Sequence, residues 1–263
     1  MKSINSIFIG GKQIGVDCLR ELVRAGMRPS LIIANSDDTG ADTWHESLVR
    51  VAAEMKIPHT VGKKVKDPEV IKHIASIKPD IIFCIGGTEL IPQTVLSVPT
   101  VGTINIHPAL LPKYRGRFSI PHAIFNGEKE VGVTLHFMDE GMDTGPIILQ
   151  KTFPLSDDDT AKIAYDNFTK VGTEAFIEFL DMLKKDSPIR SRSQDESHAT
   201  NYPKGLPAGG EIDWSWDGGT IKRFIRAMTF EPFPPPSFKL GKKTMVIVDE
   251  KNFTPSSGDA NKQ

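Results

Sequence analysis

The first 110 residues alternate between short apolar runs and segments of helical spacing, and this alternation restricts the fold more than any other feature. Residues 4–9, 31–34, 59–61, 80–85 and 102–106 have the length and apolar content of buried strands. Between them, Val16, Leu19, Leu22 and Val23 share one helical face in 16–25. A second helix opens at Asp42 or Thr43 and runs to Lys56. A third opens at Asp67-Pro68, where proline suits a first turn, and ends near Ile77; a fourth covers 92–98. Strands apolar along their whole length are buried on both faces, and a strand–helix–strand succession joins parallel neighbours. The expectation is an α/β fold: a Rossmann-like, doubly wound, mostly parallel sheet. A helix over 120–126 follows. Residues 131–138 and 147–153 then alternate as an antiparallel pair. A long helix over 159–184 carries the stripe Phe168, Val171, Ala175, Phe176, Phe179, Leu180 and Leu183.

Composition changes after residue 185. The stretch 186–200 is polar and rich in Ser and Arg, and reads as a linker between a large domain, 1–185, and a small C-terminal subdomain, 201–253. The subdomain is expected to hold one helix over 220–228 and a hairpin, 237–240 with 244–248, turning at Gly241-Lys242. Residues 254–263 are polar and read as disordered. Lys and Arg number 32 against 33 acidic residues. That balance leaves no basic excess for neutralising a nucleic-acid backbone. No apolar run approaches the roughly 18 residues of a membrane span, and the N-terminus lacks the apolar core of a signal peptide. Cys18 and Cys84 sit far apart in apolar surroundings, as reduced core residues of a cytoplasmic protein. The seven histidines show no metal-ligand spacing, so no metal is expected.

Chemistry concentrates around Asn105 and His107. Residues i and i+2 of a strand face the same side, and Pro108 ends the strand, so an amide and an imidazole look into one space at its carboxyl end. Ligands of open parallel sheets bind at that end. Asp143, in the turn Asp143-Thr144-Gly145-Pro146, is either a carboxylate that orients the imidazole or a turn residue bonding its own backbone. Gly10-Gly11-Lys12 lies between a strand and a helix. It is either a phosphate cradle or a plain tight turn, and the dinucleotide pattern is incomplete, with Asn35 where a ribose-binding acid belongs.

These residues carry a family resemblance. Asn105-x-His107, Leu110-Leu111-Pro112-Lys113-Tyr114-Arg115-Gly116 and Met138-Asp139-Glu140-Gly141-Met142-Asp143-Thr144-Gly145 resemble the folate-dependent formyltransferases. These include methionyl-tRNA formyltransferase, glycinamide ribonucleotide transformylase and the sugar-nucleotide N-formyltransferases. The resemblance spans about residues 1–185 and is most specific over 102–150. It implies N10-formyltetrahydrofolate as formyl donor, an amine as acceptor, and Asn105, His107 and Asp143 as the catalytic residues. His107 serves as general base or as donor to the oxyanion, with Asn105 as a second donor. By the same resemblance the folate lies beside Gly86, Gly87, Leu90, Ile91, Pro92 and Asp139.

The tail, with Gly210-Glu211-Ile212-Asp213-Trp214 and Phe230-Glu231-Pro232-Phe233-Pro234, resembles the branch acting on nucleotide-linked 4-amino-4,6-dideoxy sugars, such as GDP-perosamine or a dTDP-linked hexose. That branch implies a role in O-antigen synthesis and acceptor contacts from Gly10, Gly11, Lys12, Trp44, Arg117, Phe230 and Phe233, while the apolar strands of the C-terminal hairpin point to a homodimer. The two phenylalanines either stack on the base or pack the subdomain. The single evident hairpin, where a tRNA-binding barrel needs five strands, weighs against a tRNA acceptor. A ribonucleotide or tRNA-linked amine, formyl-folate hydrolysis, and a non-catalytic sugar-nucleotide module are the other readings.

Overall fold

The computed structural model describes residues 4–185, 188–203, 205–241 and 243–247. The tail expected to be disordered lies outside them. The chain runs β1 (Ser6–Gly10), α1 (Lys12–Arg24), β2 (Leu31–Ala34), α2 (Leu48–Glu54), β3 (His59–Thr60), α3 (Pro68–Ile77), β4 (Ile81–Ile85), α4 (Gln93–Leu96) and β5 (Gly102–His107). There follow β6 (Arg115–Gly116), α5 (Ser119–Phe125), β7 (Glu130–Phe137), β8 (Ile147–Pro154), α6 (Ala161–Lys184), β9 (Asn201–Tyr202), α7 (Gly218–Met228), β10 (Ser237–Leu240) and β11 (Lys243–Val246).

Seven strands form one sheet in the order β3-β2-β1-β4-β5-β7-β8. The first five positions pair in parallel, and β7 and β8 add an antiparallel edge. The α/β expectation therefore holds. The two-residue period of the strands divides the core. Phe8, Ile32, Phe83 and Ile104 meet α1 and α6 on one face, while Ile7, Ile33, Ile82 and Cys84 meet Val70 and Ile74 of α3 and Val95 of α4 on the other. Phe168, Phe176, Phe179 and Leu180 of α6 are buried, each worth about 2 kcal/mol of transfer free energy. Thr160 Oγ1 caps this helix by accepting from the Ile163 amide.

Two helices start elsewhere than their spacing suggests. α1 begins at Lys12, ahead of the apolar stripe, because the turn out of β1 is tight enough for the Gly15 amide to reach the Gly11 carbonyl at 3.1 Å. α2 begins at Leu48. Asp42 is not its cap: it accepts from the Ser47 amide and from Arg50. Ser47 Oγ caps the Arg50 amide, and Asp38 accepts from the amides of Leu48 and Val49 at 2.8 and 3.2 Å.

The stretch expected as a linker is fastened down over its described part. Ile147 and Arg192 exchange backbone hydrogen bonds at 2.8 and 2.9 Å. β9 pairs in parallel with β6. Beyond it, Ile212, Ile221, Phe224, Ile225 and Met228 form a small core that Phe125 of α5 joins, while Ala227 and Phe230 belong to the main core. β10 and β11 form the expected antiparallel hairpin.

Candidate active site

The catalytic candidates meet at the carboxyl end of β5. Parallel pairing sets Cys84 beside Asn105, and antiparallel pairing with β7 sets His136 opposite Asn105 and Thr134 opposite His107. The 139–145 turn returns Asp143 over this face. Its Oδ2 lies 3.4 Å from His107 Nδ1 and accepts from the Gly116 amide at 2.8 Å. Its Oδ1 lies 3.5 Å from Asn105 Nδ2 and 3.6 Å from His136 Nε2. Asp143 thus faces the imidazole rather than its own turn.

The hydrogen-bond pattern assigns the rings. His107 Nε2 lies 2.8 Å from the Tyr114 carbonyl oxygen, which only accepts, so Nε2 carries hydrogen. Ser119 Oγ stands 3.2 Å from the same nitrogen. Nδ1 is left towards Asp143, where a proton makes the contact a charge-assisted hydrogen bond. His136 is set the other way round. Its Nδ1 donates to the Phe137 carbonyl at 2.8 Å, and its Nε2 accepts from Asn105 Nδ2 at 3.1 Å. Burial holds His136 neutral, pulling its pKa down to about 4 against the opposing pull of Asp143. A neutral imidazole with one lone pair fixes which end of the Asn105 amide faces the cluster. His107 is 3% exposed, whereas the Asp143 side chain is 15% exposed, so Asp143 and the half-buried Asn105 present the cluster to solvent.

The glycine turns expected to line ligands abut one another. Gly10 and Gly86 both have positive φ, 137° and 67°. A Cβ on Gly10 would overlap the Ile85 carbonyl, and one on Gly86 would overlap the Gly11 carbonyl. Asn35 staples this junction. Its amide donates to the Gly86 carbonyl at 3.1 Å, and its oxygen accepts from the Thr88 amide at 3.1 Å. A ribose-binding acid is absent there because the position serves the backbone. Beside the junction Gly87, Thr88, Glu89 and Ile91 line a small recess with Asn35. Leu90 is 87% exposed, Ile91 is buried and Pro92 caps α4. Asp139 stays within its own turn, accepting from Thr144 Oγ1 at 2.6 Å and the Gly141 amide at 3.1 Å.

The residues expected at the acceptor form a neighbouring patch. Burial pushes the Lys12 ammonium, beside the Gly10-Gly11 turn, below its ordinary pKa, and the positive charge of Arg117 adds to this, with Asp37 opposing. Arg117 lies over the Phe118 ring at 5.9 Å, and T-shaped contacts lead from Phe118 to Phe233 (5.6 Å), on to Phe230 (5.0 Å) and to Trp44 (5.1 Å). Phe230 is enclosed by Trp44, Tyr165 and Phe233. Its ring packs and offers no stacking face. Phe233 and Trp44 are half-buried and keep ring surface.

Nothing in the local sequence separates His136 from an ordinary core or surface histidine, although it lies on the alternating strand 131–138 that the antiparallel register lays against Asn105. Ser119 and Gln194 carry no signal in the sequence, and Arg115 stands in the 110–116 motif without one for its role. Among the described residues no group of three or more His, Cys, Asp or Glu side chains is placed to hold a metal ion, and no helix is long and apolar enough to cross a membrane.

Residues 7–180 match the family model described as formyl transferase. Methionyl-tRNA formyltransferase of Desulfotalea psychrophila is 33% identical over 256 residues, covering 96% of this chain and 78% of that protein. Among solved structures, WlaRD, a sugar 3N-formyl transferase crystallised with dTDP and 5-N-formyl-THF, aligns with a TM-score of 0.70 at 25% identity, covering 89% of this chain and 83% of its own. The N-formyltransferase of Helicobacter canadensis, in complex with folinic acid and dTDP-3-aminofucose, aligns with a TM-score of 0.73 at 24% identity over 87% of this chain and 82% of its own. The chain belongs to the formyl transferase family.

Proposed function

We propose that this protein transfers a formyl group from N10-formyltetrahydrofolate to the amine of a nucleotide-linked amino sugar, the 4-amino group of a 4,6-dideoxy sugar being the acceptor implied by its tail. The observation that carries formyl transfer is the convergence of Asn105, His107 and Asp143 at the carboxyl end of β5. When the amine nitrogen bonds to the formyl carbon, the carbonyl oxygen takes up negative charge. The Asn105 amide stabilises that charge as a donor, and a protonated His107, its two N–H groups turned to Asp143 and the Tyr114 carbonyl, stabilises it as a nearby positive charge. Collapse of the tetrahedral centre re-forms the carbonyl, breaks the bond to N10 and returns a proton to that nitrogen. Asp143, the more exposed acid–base group, is placed to move this proton from the attacking amine, directly or through a water. Its contact with Nδ1 keeps His107 oriented throughout.

The turn after β4 suits a folate donor, with the exposed backbone of Gly87 and the exposed apolar side chain of Leu90. Lys12 and Arg117 suit the diphosphate of a sugar nucleotide, and Phe233 or Trp44 suits its base. The likeness to two sugar N-formyltransferase structures, both named with 3-amino sugars, supports a nucleotide-linked amino sugar as acceptor, while the 4-amino position rests on the tail. The curated relatives favour a second reading, an aminoacyl-tRNA amine. The exposed apolar side chains of Leu240, Met245 and Val246 on the terminal hairpin suit a homodimer, which sedimentation of the purified protein tests.

The deciding assay follows release of tetrahydrofolate by absorbance. The protein is incubated with the formyl donor and, in turn, 3-amino and 4-amino sugar nucleotides and methionyl-tRNA. Release with a sugar nucleotide alone supports the proposal. Release with the tRNA alone gives the second reading, and release with no amine makes the protein a hydrolase.

A further inference from the structure

Segment 188–202 does more than connect. Gln194 uses both ends of its amide. Its oxygen accepts from Arg115 Nε at 3.0 Å and Nη2 at 2.8 Å. Its nitrogen donates to the carbonyl oxygens of Asp143 at 2.7 Å and Gly145 at 2.8 Å. A guanidinium only donates and a carbonyl only accepts, so the amide has one permitted orientation. Arg115 is 2% exposed and is held from its other side by Glu196 at 2.6 and 2.8 Å. The residue before Arg115, Tyr114, supplies the carbonyl that orients His107, and its amide donates to Thr200 Oγ1 at 2.7 Å. The residue after it, Gly116, supplies the amide that holds Asp143 Oδ2.

Asp143 needs such support. Its φ is +57°, a left-handed conformation that costs a residue with a side chain on the order of 1 kcal/mol and persists only where surrounding contacts enforce it. The two Gln194 donors grip the peptide groups at the two ends of the Thr144-Gly145 pair and so set the direction in which the Asp143 side chain leaves the backbone. We infer that Gln194 is a positioning residue for the reaction: through Arg115 and the Asp143 and Gly145 carbonyls, it fixes the backbone points that aim His107 and Asp143 at each other. The inference rests on the formyl-transfer reading for its kinetic consequence, and on geometry alone for its structural one.

Two substitutions separate the ends of the amide. Gln194→Glu keeps the acceptor for Arg115 and removes both donors. Gln194→Met keeps the chain length and removes both functions. If the donors matter, each lowers kcat on the order of 100-fold, as a displacement of about 1 Å does in a catalytic pair. KM for both substrates stays within threefold, and the pH–rate profile changes shape. A wild-type kcat in Gln194→Glu overturns the inference, because the Arg115 contact alone would then suffice. So does a rise in KM with kcat unchanged.

A measurement without turnover keeps this test separate from the identity of the acceptor. Long-range 1H–15N spectra of the free protein report the Nδ1 environment of His107. In Gln194→Glu that signal moves towards its position in Asp143→Ala. A signal unmoved from wild type, in a variant that melts as a folded protein, overturns the inference.

Discussion

Acidification should remove a definable part of the protein's stability through His136. The ring is 1% exposed, and its one free lone pair accepts from Asn105, so protonation costs both solvation and that hydrogen bond. Its pKa is about 4 in the folded protein against 6.5 in the unfolded chain. Between those values the unfolded chain binds a proton that the folded protein refuses, so stability falls as pH falls. The contribution is fully present above pH 6.5, shrinks by about 1.4 kcal/mol per pH unit below it, and amounts to about 3 kcal/mol by pH 4. The perturbation that isolates it is His136→Gln, whose side-chain oxygen keeps an acceptor for Asn105 and does not titrate. Urea unfolding at intervals from pH 7.5 to 4 gives both stabilities, and acid-labile carboxylates elsewhere, such as Glu46 held at about 2 by Arg20, cancel in the difference. The wild type should lose about 3 kcal/mol more than the variant across this range. A difference that stays flat to within about 0.5 kcal/mol would refute the claim that His136 is buried neutral.

His107→Ala and Asp143→Ala should each lower formyl transfer by about 1000-fold or more while circular dichroism stays native, since one removes the imidazole beside the developing oxyanion and the other its orienting carboxylate. Lys12→Ala and Arg117→Ala should raise KM for the nucleotide-linked acceptor more than they lower kcat, and added salt should mimic them in steady-state assays. Gly86→Ala should cost about 3 kcal/mol or more in urea unfolding, because φ is positive and the new methyl overlaps the Gly11 carbonyl. Cys84, buried and pushed up to about 12 by desolvation and by Asp143, should resist thiol reagents until the protein unfolds, as read by thiol titration with and without denaturant.

What could be read from the sequence was whatever a local period encodes. Fully apolar runs of strand length separated by helical spacing dictate a mostly parallel sheet buried on both faces. Spacing of two in a strand placed Asn105 and His107 on one side, and Pro108 put them at the ligand-binding end. Whether Asp143 would turn inward was open, because a turn carboxylate bonds its own backbone as readily as a neighbour. The contact with His107 and the Gly116 amide decided it.

Tertiary structure alone supplied the remainder. His136 faces Asn105 through the register of β5 with β7, and a slip of one residue would have turned it to the other face. Lys12, just after β1, and Arg117, just after β6, come within electrostatic reach of one another only in the folded chain. Phe230, aromatic and expected near a base, is enclosed by three other rings. Gln194 lies 51 residues from Asp143 in a polar, serine-rich stretch with no periodicity, the composition of a linker. Such a segment buries too little apolar surface to declare its place. Its position comes from hydrogen bonds with directed partners that exist only once β6, the 139–145 turn and Arg115 have folded together.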